Sequence, residues 1–333
     1  MMKKIIFLSC LSLVFMGCSG SEVDDIKIVK EDAVDRIEIN QGEKTEEQNN
    51  LRDDTDVFHI GNRIVFKNQY ALTFLSAIET DARNSYSKED IAQVIEIVYL
   101  CENLNMEEDL YISELDFNFI DEKGNMIKTY PLDNRYELVQ TTKGARSLGS
   151  FHVGAKESSS MIKALYTNNW FSNEVIGEFQ IEIGKEVKHD LEGSIPAFHK
   201  TYKIGDIIEI TSAKGEYTLC IDGIKKTEER NSYSQKDPGE VYIIDYTFSN
   251  INMDDPLFIS DYDFNLIDEK GMMGCHYPGN INCYPLETFK GARCSAQMTL
   301  ASHNLNDKLI LTYRDNCFSN QADIFISIDL TSK

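Results

Sequence analysis

The chain has 333 residues, 42% of them hydrophobic and 26% charged, enough apolar material for one to three packed domains. Its formal net charge is -22 and its pI is near 4.7. A surface of that sign repels phosphate backbones, which removes nucleic acid from the expected partners and favours cations or basic proteins.

The first predicted element is an export signal. Lys3 and Lys4 precede a mostly apolar run of twelve residues from Ile5 to Met16, too short to span a bilayer but suited to the apolar part of a secretory signal. The run ends in "FMGCSGS", with Gly17 before Cys18. This resembles a bacterial lipobox. Residues 1–17 then leave as a signal peptide, and Cys18 becomes a lipidated N-terminus that holds the protein to the membrane by its acyl chains. Read otherwise, the segment is an ordinary cleaved signal with an incidental cysteine. Residues 19–57 hold thirteen Asp or Glu against five Lys or Arg. The composition predicts a disordered acidic tether over 18–57, although Ile26–Ile39 has enough apolar residues for a transient strand or helix.

Beyond the tether the chain repeats itself. "LDFNFIDEKG" (Leu115–Gly124) returns as "YDFNLIDEKG" (Tyr262–Gly271), 147 residues later. "RNSYS" stands at Arg83–Ser87 and Arg230–Ser234, and "KGAR" at Lys143–Arg146 and Lys290–Arg293. "YTNNWFSN" (Tyr166–Asn173) answers "YRDNCFSN" (Tyr313–Asn320). A period this long marks duplicated domains, not a solenoid. The expected organisation is one domain over 58–184, a linker over 185–199 and a second domain over 200–330.

Apolar residues in both copies recur with period two. Leu115, Phe117 and Phe119 alternate with Asp116 and Asn118; Ile95, Ile97, Tyr99 and Cys101 share one face, as do Tyr242, Ile244, Tyr246 and Phe248. That is the signature of strands with one buried face. The Asp-Glu-Lys-Gly that follows Phe119 and Leu266 predicts a hairpin turn with glycine at positive φ. Further strands are expected at Arg63–Lys67, Ser147–Val153, Met161–Tyr166 and Glu178–Ile183. About eight short strands per copy, with no long helical period, predict an all-β protein: two tandem antiparallel immunoglobulin-like β-sandwiches. A small β-barrel is the alternative. The order "IGD" (Ile204–Asp206), a strand ending in Asn250, "DFNLIDEKG" (Asp263–Gly271) and "KGAR" (Lys290–Arg293) resembles domains of unknown function found in bacterial lipoproteins. The resemblance implies the telokin-like, immunoprotective-extracellular-protein type of sandwich and an extracytoplasmic location; it implies no reaction.

Copy two carries cysteines that copy one lacks. Cys275, Cys283, Cys294 and Cys317 stand where copy one has Lys128, Tyr136, Ser147 and Trp170. Outside the cytoplasm four cysteines allow three disulfide connectivities; the expected pairs are Cys275–Cys283 and Cys294–Cys317, with Cys220 left over. A thiolate metal site helped by His276 is the competing reading, but no CxxC spacing supports it. Cys101, in line with Phe248, is expected as a buried thiol. No HExxH, GxSxG, P-loop or GxGxxG is present, and "DFNFIDEKG" lacks the ligand spacing of a calcium loop. No catalytic residues, metal or cofactor are therefore expected. The candidate recognition residues are Arg83, Tyr86, Arg230 and Tyr233 of the two RNSYS loops, with Trp170. They point to non-catalytic binding of a protein or glycan; a structural spacer without a specific ligand is the alternative.

Overall fold

A computed structural model describes residues 57–167, 174–188, 193–315 and 321–331. The signal segment, the tether with Cys18, Trp170 and Cys317 lie outside the described residues.

Copy one is built from β1 (Val57–His59), β2 (Ile64–Phe66), β3 (Tyr70–Thr80), β4 (Gln93–Asn103), β5 (Phe117–Asp121), β6 (Met126–Thr129), β7 (Arg146–Ala155), β8 (Met161–Tyr166) and β9 (Gly177–Glu182). A two-residue β10 (Lys185–Glu186) follows. Copy two repeats the series as β11 (Tyr202–Lys203), β12 (Ile208–Ser212), β13 (Gly215–Thr227), β14 (Glu240–Asn250), β15 (Phe264–Asp268), β16 (Cys275–His276), β17 (Arg293–Ser302), β18 (Lys308–Tyr313) and β19 (Ile324–Asp329). Apart from single 3-10 turns at Glu114–Asp116 and Asp261–Asp263, every regular element described is a strand.

The pairing repeats as well. In copy one the order β1-β9-β8-β5 faces β3-β4-β7-β6, with β2 and β10 both on the outer edge of β3. β6 bridges the two layers, pairing with β5 at Ile127 and with β7 at Lys128. In copy two β11-β19-β18-β15 faces β12-β13-β14-β17-β16. In both, the first strand joins the last in parallel while its neighbours run antiparallel. The longest strands, β3 and β13, are each bulged at the same place, around Leu75 and Asp222. The two facing layers of strands around one core place the fold in the all-β, β-sandwich class.

Period-two burial explains why these segments are strands. Phe117 and Phe119 turn inward from β5 and meet Phe74, Tyr99, Phe151, Tyr166 and Phe179 from both layers in one aromatic core. In copy two Phe264, Tyr246, Phe248 and Tyr313 fill the equivalent space. Cys101 lies in the first core as a thiol, its pKa pushed up by burial. The repeated Asp-Glu-Lys-Gly forms the predicted turn: Gly124 N–H donates to Asp121 C=O at 3.0 Å and Gly271 N–H to Asp268 C=O at 2.9 Å, both glycines at positive φ. Asp121 Oδ1 further accepts from the N–H groups of Lys123 and Asn125. This is why the aspartate recurs in both copies.

Candidate binding cleft at the junction of the sandwiches

The two copies do not hang on a loose linker. β10 pairs with Ala77 and Ser76 of copy one, and Val187 packs over Leu75 with its N–H on the Leu75 carbonyl at 2.9 Å. Farther on, Phe198 stacks on Phe325 of copy two at 4.0 Å between ring centres. The connecting segment is thus paired to one sandwich at its start and packed on the other at its end.

The sandwiches also meet directly. Arg146, at the head of β7, lies beside Met272 in a short parallel bridge. Its N–H donates to Gly271 C=O at 2.9 Å, its C=O accepts from Met273 N–H at 2.7 Å, and its guanidinium reaches Lys270 C=O at 2.7 Å. Met272 is wholly buried among Leu75, Val98, Leu100 and Leu148, the outward face of copy one's sheet. Met273 packs with Ala145, Val139, Ile267 and Ile310. At the rim Lys236 Nζ meets Glu137 Oε2 at 2.7 Å, and Tyr136 stands edge-on to His303. Burial holds the His303 pKa down to about 4.

Beneath this seam lies an ion pair shut off from water. The Arg314 side chain is 2% exposed and that of Asp109 1%, and both Nε and Nη2 of Arg314 donate to Asp109 Oδ2. Burial raises the Asp109 pKa, partly offset by Arg314. Asp109 Oδ1 and Thr142 Oγ1 are buried without a partner in hydrogen-bond geometry, although Thr142 is close enough to favour the aspartate's charge. A buried acceptor left unpaired costs about 1–3 kcal/mol, a cost that the proximity of Thr142 to Asp109 reduces.

Both groups line a cleft of about 580 Å³ between the sandwiches and the connecting segment. One wall is apolar, from Pro196, Phe198 and Phe325; the others carry Glu107, Lys143, His199, Lys200 and Asp323. Lys143 pairs with Glu107 at 2.5 Å, and burial raises the pKa of Asp323. The arrangement offers an aromatic wall and carboxylate acceptors. Among the described residues no group of three or more His, Cys, Asp or Glu side chains is placed to hold a metal ion.

The residues singled out from sequence fall elsewhere. The RNSYS loops are near-identical in structure. Asn84 and Asn231 each donate to a proline carbonyl, Pro131 and Pro278, and their N–H groups reach Tyr130 and Tyr277 hydroxyls. Arg83 and Arg230 donate to the carbonyls of Thr80 and Thr227 in their own loops. Both arginines are thereby engaged in loop structure. Tyr86 and Tyr233 project 92% and 91% exposed. Tyr233 borders a smaller cleft of about 330 Å³ with Asp133, Glu137 and Lys236; Tyr86 has no such neighbour among the cavities described.

The expected Cys275–Cys283 bridge is corrected. Cys275, Cys283 and Cys294 are all thiols, as are Cys101 and Cys220. Cys275 sits opposite Ala301, whereas the Cys283 thiol donates to the Ser295 carbonyl at 3.0 Å. Ala301 and Ser295 are six positions apart on β17, roughly 20 Å of extended strand. A disulfide needs Cα atoms within about 7 Å. The Cys294–Cys317 pair falls on Cys317, which lies outside the described residues.

Single-copy reasoning missed the junction, yet the repeat contained the signal. Leu75, Val98, Leu100 and Leu148 of copy one correspond to Asp222, Asp245, Thr247 and Ser295 of copy two. Reading the duplicated registers against each other shows which outward face is covered.

With this geometry in hand, comparison with known proteins adds little. No family model matches the chain, and no curated protein matches it. Among solved structures, a secreted protein from Mycobacterium tuberculosis, MPT63, is similar: 13% identical, with a TM-score of 0.29, covering 40% of this chain and 99% of its own. Similarity at that level carries no argument about either chain's role.

Proposed function

We propose that this protein is a non-catalytic binding protein of the cell envelope, held to the membrane through lipid on Cys18, whose ligand enters the cleft between its two sandwiches. The ligand class that fits is a glycan. The observation that carries the reading is the aromatic wall of Phe198 stacked on Phe325, with the carboxylates of Glu107 and Asp323 lining the same cleft. Sugar hydroxyls supply donors for carboxylate acceptors, and the apolar faces of a pyranose ring lie flat against an aromatic side chain. Glu107, Asp109 and Asp323 are balanced by Lys143, Lys200 and Arg314, which favours a neutral sugar over a charged one. A binding site of this kind is a pocket with a few placed polar groups, and it requires the sandwiches to be fixed relative to each other.

The test is calorimetric titration of the soluble ectodomain, residues 19–333, with neutral, amino-sugar and acidic oligosaccharides. Binding of the neutral class, weakened tenfold or more by Phe198→Ala and by Asp323→Asn, supports the cleft. Binding unaffected by both variants places the ligand elsewhere, and no binding of any class favours the spacer role. Anchoring is checked separately: Cys18→Ala is expected to release the protein from the membrane fraction, and retention would overturn the lipid anchor.

A further inference from the structure

Copy two contains a second pair of thiols that the structure draws together. Cys283 Sγ lies 3.0 Å from the Ser295 carbonyl oxygen, and Cys294 Sγ lies 3.7 Å from the same atom. The two sulfurs are therefore separated by no more than those two distances end to end; Cys283 stands opposite Gln297, three positions along β17 from Cys294, so bond closure draws the Cys283 loop along the strand toward Cys294. The chain leading to Cys283 is already aligned along the free edge of β17: Asn282 N–H donates to Gln297 Oε1, and Gln297 N–H donates to Cys283 C=O, both at 2.8 Å. Cys283 is exposed and Cys294 buried, which suits an attacking thiol on the surface and a resolving thiol behind it.

We propose that Cys283 and Cys294 form a disulfide in the exported protein, pinning the loop between them to β17. In copy one the same positions are Tyr136 and Ser147. There the loop needs no covalent tie, because Tyr136, Glu137 and Val139 are held by copy two. Among the described residues the loop in copy two meets no second sandwich, and it carries Tyr284, Leu286 and Phe289, 67%, 68% and 65% exposed. A crosslink between Cys283 and Cys294 closes a short loop and removes the freedom it has in the unfolded chain. It takes over the restraint that the second sandwich supplies to copy one.

Closure proceeds by thiol–disulfide exchange with a dithiol-forming oxidant outside the cytoplasm. The Cys283 thiolate attacks one sulfur of the oxidant's disulfide, forms a mixed disulfide and expels one oxidant thiolate. The Cys294 thiolate then attacks Cys283 Sγ and expels the oxidant's second thiolate. Two protons leave the cysteines, and the electron pair reduces the oxidant to a dithiol. In the cell this rests on the export proposed above, so the experiment separates geometry from address.

Purified ectodomain is refolded in a buffer of reduced and oxidised glutathione, and protein is also isolated from the cell envelope. Both are alkylated without reduction, digested and mapped by mass spectrometry. The expected result is a linked pair of peptides containing Cys283 and Cys294, with Cys275 and Cys101 alkylated only after denaturation. Cys283→Ser should leave Cys294 as a thiol. It should also speed proteolytic cutting within 284–291 about tenfold, since the entropic restraint on the loop is lost. A link of Cys294 to Cys317, or two free thiols in the glutathione buffer, overturns the pairing. The link in glutathione buffer with free thiols in envelope protein overturns export to an oxidising compartment and leaves the pairing standing.

Discussion

The outward face of β3, β4 and β7 in copy one and the same face of β13, β14 and β17 in copy two began as one surface and now differ completely. In copy one it is Leu75, Val98, Leu100 and Leu148, and Met272 is buried in it. In copy two it is a hydrogen-bonded polar mesh: Thr247 Oγ1 donates to Asp222 at 2.6 Å and lies 3.0 Å from Ser295 Oγ, and Gln297 donates to Asp245 at 2.6 Å. The partner surfaces differ in the reverse sense. Ile310 and Phe325 of copy two's docking face stand where copy one has Lys163 and Glu178, which pair with each other at 2.6 Å. Each sandwich has kept one apolar face and made the other polar. The pair is closed: neither solvent-facing copy of the interface can accept a third sandwich in the same way, because docking there would desolvate the Lys163–Glu178 ion pair or the Asp222 and Asp245 carboxylates. Duplication supplied the units, and divergence at a handful of outward positions turned two beads on a string into one body with a cleft.

The most severe way to break this asymmetry is at the buried ion pair. Arg314 and Asp109 correspond to Thr167 and Pro256 in the other copies, so the charge pair exists only across the junction. Asp109→Ala strands a buried guanidinium and is expected to destabilise by about 3–5 kcal/mol. Asp109→Leu with Arg314→Met removes both charges and should recover most of the loss. Urea denaturation of the single and double variants checks this; a single variant within about 1 kcal/mol of the parent would mean that the junction opens to water.

Next comes the apolar seam. Giving copy one the residue of its counterpart, Val98→Asp after Asp245, puts a carboxylate against Met272, whereas Asp245→Val in copy two only replaces one member of a solvated mesh. The first is expected to cost about 3 kcal/mol and to split the single unfolding transition into two as the sandwiches come apart. The second should change stability by less than about 0.5 kcal/mol. Calorimetric traces of both variants decide the comparison, and equal effects would refute the covered-face reading.

Acid sharpens it further. His303 of copy two, against Tyr136, corresponds to exposed Lys156 of copy one. Its folded pKa of about 4 lies below the usual value near 6.5. As pH falls below about 6.5 the unfolded chain takes up a proton that the native state refuses until about 4. Stability is therefore lost across that window, on the order of 2 kcal/mol. Buried Asp109, Asp263 and Asp268, whose pKa values are raised chiefly by desolvation, act in the opposite sense. The difference between parent and His303→Gln isolates the histidine: the variant should lose less stability between pH 7 and pH 4.5.

Much of the fold was legible because each strand's inward residues alternate and because two copies repeat the same turns. Phe117 and Phe119 announce a buried face wherever the other face points, and Asp121–Gly124 announces a hairpin. The junction was not legible from either copy alone. Val98 and Leu100 on β4 read as part of an apolar run, and such a run does not say whether its second face meets a sheet, a linker or another domain. The cleft was hidden for a further reason. It is assembled from Asp109 and Thr142 of one copy, Phe198 of the connecting segment and Asp323 of the other, separated by up to about two hundred positions with no motif spacing to join them. Arg83 and Arg230 show a different limit: both donate to carbonyls of their own loops, a structural demand that duplication preserves as faithfully as a binding one.

The smallest test sets identical turns against each other. Gly124 and Gly271 close the same hairpin with φ of 85° and 77°, so alanine meets the same left-handed backbone at both, costing about 1 kcal/mol. Their surroundings differ. A Cβ on Gly124 meets nothing within 4 Å, whereas one on Gly271 would lie 2.5 Å from the Ser194 carbonyl oxygen of the connecting segment. Gly271→Ala should therefore cost about 1–2 kcal/mol more than Gly124→Ala. The excess should vanish when the connecting segment is cut between Gly193 and Pro196, because Ser194 is then free to move aside. Thermal melts of the two variants, before and after cleavage, measure how tightly the linker is pressed into the junction. Equal costs in the intact chain would mean that it is not pressed there at all.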